Sequence, residues 1–288
     1  DGHATDPGRL LRDADVALYE AKQQVGSTVA LYTEAMIRRI QHAVEMERRL
    51  RRSMDTDEFW GAYQPIQTLA DRTVIGFEAL ARWSSATGPI PPEEFIPVAE
   101  AAGLLDELGH RLIHDALEFH TSLPSHLDLF LNMAPCQLAA DDIVEWLGEA
   151  LEQTGADPHR IFIEITENAA VADYRIGQRL ADLRAMGVRI ALDDFGVGHS
   201  SLSALRSLPL DLMKVDRSFL VAAHEDSRAE AVARLVCELG RELGVTVIAE
   251  GVETEEQLSF LRRIGYGLGQ GFLLGSPQPR ESALEYLA

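Results

Sequence analysis

The sequence predicts a (β/α)8 barrel of the TIM type, preceded by a connecting helix. Three observations lead there. The 288 residues exceed an ordinary small domain but suit α/β barrels, which run to about 250 residues as one unit. From about residue 57 onward, short apolar runs alternate with helix-length stretches, the pattern of a parallel sheet with helices on its faces. Eight such runs can be found, the number that closes a barrel. A doubly wound open sheet is the competing architecture.

Residues 1–35 read as a tail belonging to another unit. Leu10 to Lys22 has apolar residues at three- and four-residue intervals, as in an amphipathic helix, and Gly26 is a plausible stop. Residues 36–56 form the connecting helix, rich in Arg and Glu, with a thin apolar stripe of Ile37, Ile40, Val44 and Leu50. Packing on its own domain and a dimer-forming or signalling role fit that stripe equally. Residues 57–288 supply the barrel. Its strands are expected at 59–66, 74–80, 127–131, 161–165, 188–192, 210–215, 245–249 and 271–274. Helices are expected near 93–103, 106–121, 141–154, 173–186, 226–243 and 254–263.

Composition narrows the function. The formal net charge is −20, which makes backbone binding of duplex nucleic acid a poor expectation. A small anionic ligand stays possible if metal ions or local cations receive it. No apolar run approaches the roughly 20 residues of a membrane span, so no membrane contact by this chain is expected. The start at Asp1, without Met and without a signal peptide, reads as a piece of a longer protein, whose other parts could carry an anchor. The two cysteines, Cys136 and Cys237, form neither a disulfide framework nor a zinc site, and a reducing cytoplasm fits them best.

The polar residues are the most informative feature. Glu78, Asn132, Glu164, Asp193, Asp194, Lys214 and Glu250 each follow an apolar run. In an α/β barrel the carboxyl ends of the strands converge on one mouth, where active sites lie. One such acid could be a helix cap. Several acids at neighbouring strand ends repel unless cations hold them. Oxygen ligands of this kind suit Mg²⁺ or Mn²⁺. Gly196 and Gly198 directly after the Asp pair permit a tight loop. The plain alternative for Asp193-Asp194 alone is an acidic turn with an N-cap near Ser200. For Lys214 it is a structural salt bridge. Glu164 with Glu167, and Glu250 with Glu253, repeat a spacing of three. In it the first acid faces the mouth, and Glu167 caps a helix or tethers the loop.

Four separated motifs carry a family resemblance. Glu78-Ala79-Leu80 lies within Gly76-Phe77-Glu78-Ala79-Leu80-Ala81-Arg82-Trp83. Asp193-Asp194-Phe195-Gly196, Ala249-Glu250-Gly251-Val252-Glu253-Thr254 and Gln270-Gly271-Phe272 follow in order. Together they resemble the EAL family of cyclic di-GMP phosphodiesterases over roughly residues 57–288. Residues 10–35 resemble the last helix and strand of a diguanylate cyclase (GGDEF) domain whose signature loop is absent, so no cyclase activity is expected.

The resemblance implies hydrolysis of cyclic di-GMP to linear pGpG with two Mg²⁺ or Mn²⁺ ions. It makes Glu78, Asn132, Glu164, Asp193 and Asp194 the metal-site residues. Lys214 orients or polarises the attacking water, and Glu250 is a ligand or general base. Gln270 positions water or ligand, Arg82 meets a substrate phosphate beside Leu80, and Glu167 steadies the loop after the Asp pair. Two ions about 4 Å apart would activate water and neutralise phosphorane charge. The resemblance also implies a homodimer. The chain departs from the family pattern at Val197 and His199, where Thr and Tyr are usual, at Gly267 for Asp, and at Ala81 for Leu. A lost Thr hydroxyl bond is worth about 1 kcal/mol. The altered loop leaves a second reading, a catalytically silent cyclic di-GMP receptor that signals through its helix or dimer interface.

Other motifs carry less. Gly265 to Gly271 fails the spacing of a dinucleotide-binding turn. His110 and His114, one turn apart, lack the Glu of a zinc-protease helix and read as exposed. Cys136 reads as a buried inert thiol.

Overall fold

The computed structural model describes residues 31–166, 174–196, 208–218 and 227–287, with Ala14 and Leu18. The loop positions Glu167, Val197 and His199, and nearly all of the expected helix 10–22, lie outside the described residues.

Helix α1 spans Glu34–Ser53. Strand β1 (Phe59–Thr68) follows, then β2 (Val74–Ser85) and the short β3 (Gly88–Ile90). Helices α2 (Pro92–Ala101) and α3 (Leu105–Thr121) lead to β4 (Asp128–Asn132). Helices α4 (Pro135–Ala139) and α5 (Ile143–Thr154) lead to β5 (Ile161–Thr166). The remainder runs α6 (Tyr174–Ala185), β6 (Arg189–Phe195), β7 (Leu212–Val215), α7 (Ser227–Leu243), β8 (Thr246–Ala249), α8 (Glu255–Ile264), β9 (Leu268–Gly269) and α9 (Arg280–Glu285).

The strand order β1-β9-β8-β7-β6-β5-β4-β2-β3, with an added β1–β2 pairing, closes eight strands into a barrel and leaves β3 as a flap on β2. One expectation fails here. The barrel is not all-parallel: β1 runs against both β2 and β9. Only Leu69 to Thr73 joins β1 to β2. A parallel crossover needs a dozen or more residues, so this link can only make a hairpin. A second correction concerns the last strand, which is Leu268–Gly269 rather than 271–274. Gly271 takes φ 155 against Val252, where a Cβ would lie 2.2 Å from the Val252 nitrogen. The chain turns there instead of extending.

The barrel interior is filled by Ile66, Phe130, Phe162, Ala191, Leu212 and Ile248. Phe130 and Phe162 stack at 4.4 Å. Around it, helices and outward strand faces form the larger core, with Phe77, Leu129, Ile163, Leu180 and Leu261 wholly buried. Two-sided burial explains why these strands read as continuous apolar runs. A separate cluster joins Met46 and Leu50 of α1 to Phe59, Trp83, Phe95 and Leu108. So α1 packs on the barrel, while Val44 stays exposed. Among the described residues no helix is long and apolar enough to cross a membrane.

Candidate active site

The barrel register brings the predicted polar residues together. β2 pairs Glu78 with Phe130 of β4, and β4 pairs Asn132 with Glu164 of β5. β5 pairs Thr166 with Asp193 of β6. Glu78 does not end its strand, because β2 continues to Ser85. It stands where the parallel part of the ladder stops, at Ala79↔Leu131, and so still faces the mouth.

Asp193 and Asp194 pose a geometric problem, since adjacent strand residues point to opposite faces. The chain solves it with a break. The β6–β7 register shifts between Leu192 and Phe195, and Asp194 adopts φ 55. That left-handed conformation is one Asp tolerates better than most residues. Both carboxylates therefore reach the mouth. Oxygens of Glu78, Glu164 and Asp193 lie within 4.8 Å of one another, and so do those of Asp193, Asp194 and Glu250. The two sets share Asp193.

Lys214 sits at the centre, 1% exposed. Its Nζ lies 2.7 Å from Glu250 Oε1, 2.9 Å from Glu78 Oε2, 3.0 Å from Glu164 Oε1 and 3.5 Å from Asp193 Oδ1. Burial alone would lower the lysine's pKa, and the surrounding carboxylates together raise it well above its usual value. One ammonium cannot neutralise four carboxylates. Burial and the charge of Glu78 drive Glu164 well up, against the pull of Lys214. Burial also raises Glu250 to about 8, against the pull of Lys214 and with added repulsion from Asp193 and Glu78. Glu78 resists its own burial because Lys214, Asn132 and Gln270 all support its charge, and its pKa is lowered.

The donor set fits hard divalent cations. Both oxygens of the buried Glu164, and Oδ1 of Asp193, accept no hydrogen bond among the described residues. Lys214 lies within ion-pair distance of Glu164 Oε1 and Asp193 Oδ1 without donating a directed bond to either. Buried carboxylate oxygens left this way need a cation or protons. Asn132 donates Nδ2 to Glu78 Oε1 at 2.7 Å, which leaves its carbonyl oxygen as a further hard ligand atom.

Other predicted residues fall nearby. Gln270, 3% exposed, donates to Glu78 Oε2 at 2.6 Å. Leu80 and Arg82 line a cavity of 460 Å³ that runs from Glu78, Asn132 and Asp193 into an apolar groove between β2, α2 and α3. Arg82 is half-buried, and that burial lowers its pKa. Its Nη1 donates to Ala81 O at 2.8 Å. Gln64 of β1 is a site residue that the pattern did not single out. It pairs directly with Glu78 across the β1–β2 hairpin and is 8% exposed. Its signal was available: a lone amide inside the buried run Tyr63-Gln64-Pro65-Ile66 needs a partner. Cys136 corrects the expectation of burial, since it is exposed. Partial desolvation, Glu100 and Asp106 raise its thiol pKa. His110 stacks on Trp146 at 3.9 Å, and both it and His114 are partly buried, which corrects the expectation of exposure.

The EAL domain family model matches residues 47–277. The chain belongs to the EAL domain family. An uncharacterized signaling protein of Caulobacter vibrioides is 42% identical over 280 residues, covering 95% of this EAL chain and 35% of the relative. The cyclic di-GMP phosphodiesterase NbdA of Pseudomonas aeruginosa is 36% identical over 286 residues, covering 96% of this chain and 36% of NbdA. This EAL chain thus spans about a third of the length of these curated relatives. Among solved structures, the PaMucR phosphodiesterase in complex with c-di-GMP superposes with a TM-score of 0.80 at 35% identity, covering 83% of this chain and 99% of that one.

Proposed function

We propose that this EAL chain hydrolyses cyclic di-GMP to linear pGpG in a reaction that depends on divalent metal ions. The observation that carries the reading is the pair of carboxylate sets sharing Asp193, with both oxygens of the buried Glu164 accepting no hydrogen bond among the described residues. The names of NbdA and of the PaMucR complex supply the substrate class.

Glu78, Asn132, Glu164, Asp193 and Asp194 would hold Mg²⁺ or Mn²⁺, as two ions. Such ions supply Lewis acidity toward a phosphoryl oxygen and lower the pKa of water. The chain's own groups do the rest. Lys214 holds the carboxylates inward and brings positive charge to an acidic mouth that must admit an anion. Arg82, on the cavity wall beside Leu80, provides a cation for a phosphate. Glu250 keeps part of its side chain exposed and is the carboxylate placed to take a proton from an attacking water. The water oxygen bonds to phosphorus, one bridging P–O3′ bond breaks, and the proton passes to the departing 3′ oxygen. No nucleophilic side chain is required, so direct hydrolysis fits better than a covalent intermediate.

The test is incubation with cyclic di-GMP in Mg²⁺ or Mn²⁺, then in EDTA. Formation of pGpG only with metal is expected. Tight nucleotide binding in EDTA with no product on adding metal would instead favour a receptor role. We extend the proposal to organisation. Residues 1–35 are the end of a GGDEF domain, 36–56 connect, and 57–288 form the EAL unit; the family match from residue 47 supports only the last. Glu167 steadies the loop after the Asp pair. The chain acts as a homodimer, which sedimentation showing only monomer at high concentration would refute. It works in the cytoplasm. There the exposed Cys136 should escape a membrane-impermeant maleimide until cells are lysed.

A further inference from the structure

We propose that Gln64 is a positioning residue of this site. It aligns the Gln270 amide so that Gln270 holds the Glu78 carboxylate in its ligand orientation. The inference rests on reading the mouth as a metal site.

Hydrogen-bond direction fixes how the two amides are oriented. Gln64 Nε2 donates to Gly275 O at 3.0 Å. A backbone carbonyl only accepts, so the amide nitrogen of Gln64 must face it and the oxygen must face the other way. That oxygen accepts from Gln270 Nε2 at 3.1 Å. The same Gln270 nitrogen donates to Glu78 Oε2 at 2.6 Å. The relay Gly275, Gln64, Gln270, Glu78 therefore has one self-consistent sense. Reversing Gln64 would set oxygen against oxygen at Gly275 and nitrogen against nitrogen at Gln270. Reversing Gln270 would turn its oxygen onto a carboxylate.

Burial makes the relay matter. Gln64, Gln270 and Glu78 are 8%, 3% and 5% exposed, so water cannot readily replace a lost partner. The correct sense has a cost: Gln270 Oε1 is buried and accepts no hydrogen bond among the described residues. The contacts on Gln270 Nε2 outweigh that cost, because one of them is to a charged acceptor. Asn132 pins the other oxygen of Glu78 at 2.7 Å. Hydrogen bonds of this kind orient a ligating carboxylate, and losing one typically costs about 10–100-fold in metal affinity or activity.

The test is a double-mutant cycle on the full chain with Mn²⁺ alone, read by calorimetry or by the electron paramagnetic signal of free Mn²⁺. Gln64→Met should weaken Mn²⁺ binding by about 10-fold or more. In a Gln270→Met background it should weaken it no further, because Gln64 acts through Gln270. Gln64→Asn, one methylene short, should behave like Gln64→Met and serves if the Met variant does not fold. Affinity unchanged within about twofold, additive losses in the double variant, or no Mn²⁺ binding by the wild-type chain would each overturn the proposal. In hydrolysis, kcat should fall with KM unchanged; a raised KM with unchanged kcat would mean direct substrate contact instead. A chain that binds Mn²⁺ with this coupling but does not cleave cyclic di-GMP would refute the proposed function and leave the role of Gln64 standing.

Discussion

Lys214 shows how one residue can serve a fold and a site together. Removing one partner of a buried ionic cluster typically costs about 3–5 kcal/mol, because the opposite charges stay buried and unpaired. Lys214→Met should therefore destabilise the metal-free chain by about that amount, and Mn²⁺ should restore part of it. Thermal unfolding with and without EDTA measures both. Asp194 makes a separate demand at φ 55. A left-handed β-branched residue costs about 1–2 kcal/mol, so Asp194→Val should be less stable than Asp194→Asn by about that margin. The two variants lose the same charge, and denaturant unfolding compares them. His120 is buried, and burial followed by Arg160 lowers its pKa below 6.5, against a backbone hydrogen bond at Leu127. The folded chain thus binds fewer protons at this ring than the unfolded chain. Its contribution is complete above pH 6.5 and fades as pH falls toward the folded value. His120→Leu should flatten that part of the stability–pH curve. At this scale the carboxylates and Lys214 could be read from the apolar runs they follow, although Glu78 proves to lie inside its strand. The left-handed Asp194 could not, because nothing in Asp-Asp reports a register shift.

Elements are held in place by close approaches as much as by apolar area. Gly76 of β2 leaves room for the Asp128 carbonyl: a Cβ there would stand 2.5 Å from that oxygen. Gly76→Ala should push β2 from β4, carry Glu78 with it, and cost about 1–3 kcal/mol as overpacking does. Chemical denaturation gives the loss, and a matching fall in metal affinity would locate it. The limits of the six expected barrel helices were legible to within about two residues, because capping and apolar periodicity are local, but the connecting helix ends at Ser53 and the short α4 and α9 were missed. Thr254 with Gln257 makes a reciprocal cap, and Gly155 and Gly265 end helices in the left-handed region. Strand direction was less legible. Apolar runs look alike in either direction, and only the brevity of the 69–73 link could reveal the β1–β2 hairpin.

For the whole molecule, metal and fold should be thermodynamically linked. Ions that bind the folded mouth and not the open chain stabilise by about 2.7 kcal/mol at a hundredfold excess over Kd. Stripping metal with a chelator should lower the melting temperature, and a Glu164→Gln variant should lose most of that response. The barrel count was legible from eight runs, although one lay a few residues from its true place.

The antiparallel β1 also affects the order in which the molecule can be made. Its pairing with β2 is local, yet it meets β9 only through Gln67↔Gly269 and Thr68↔Leu268. Gln64 reaches its partners 206 and 211 positions later. A ribosome must therefore deliver nearly the whole chain before the first strand finds its second neighbour, and long loops close at an entropic cost that grows with length. Until Gly275 emerges, the nascent barrel has an open seam beside Glu78. A stalled or truncated chain would then hold most of its core and a full set of acids, yet lack the amide relay that aligns them. Arrested chains of increasing length, assayed for Mn²⁺ binding, should show affinity appearing abruptly near the end and not in proportion to the strands made.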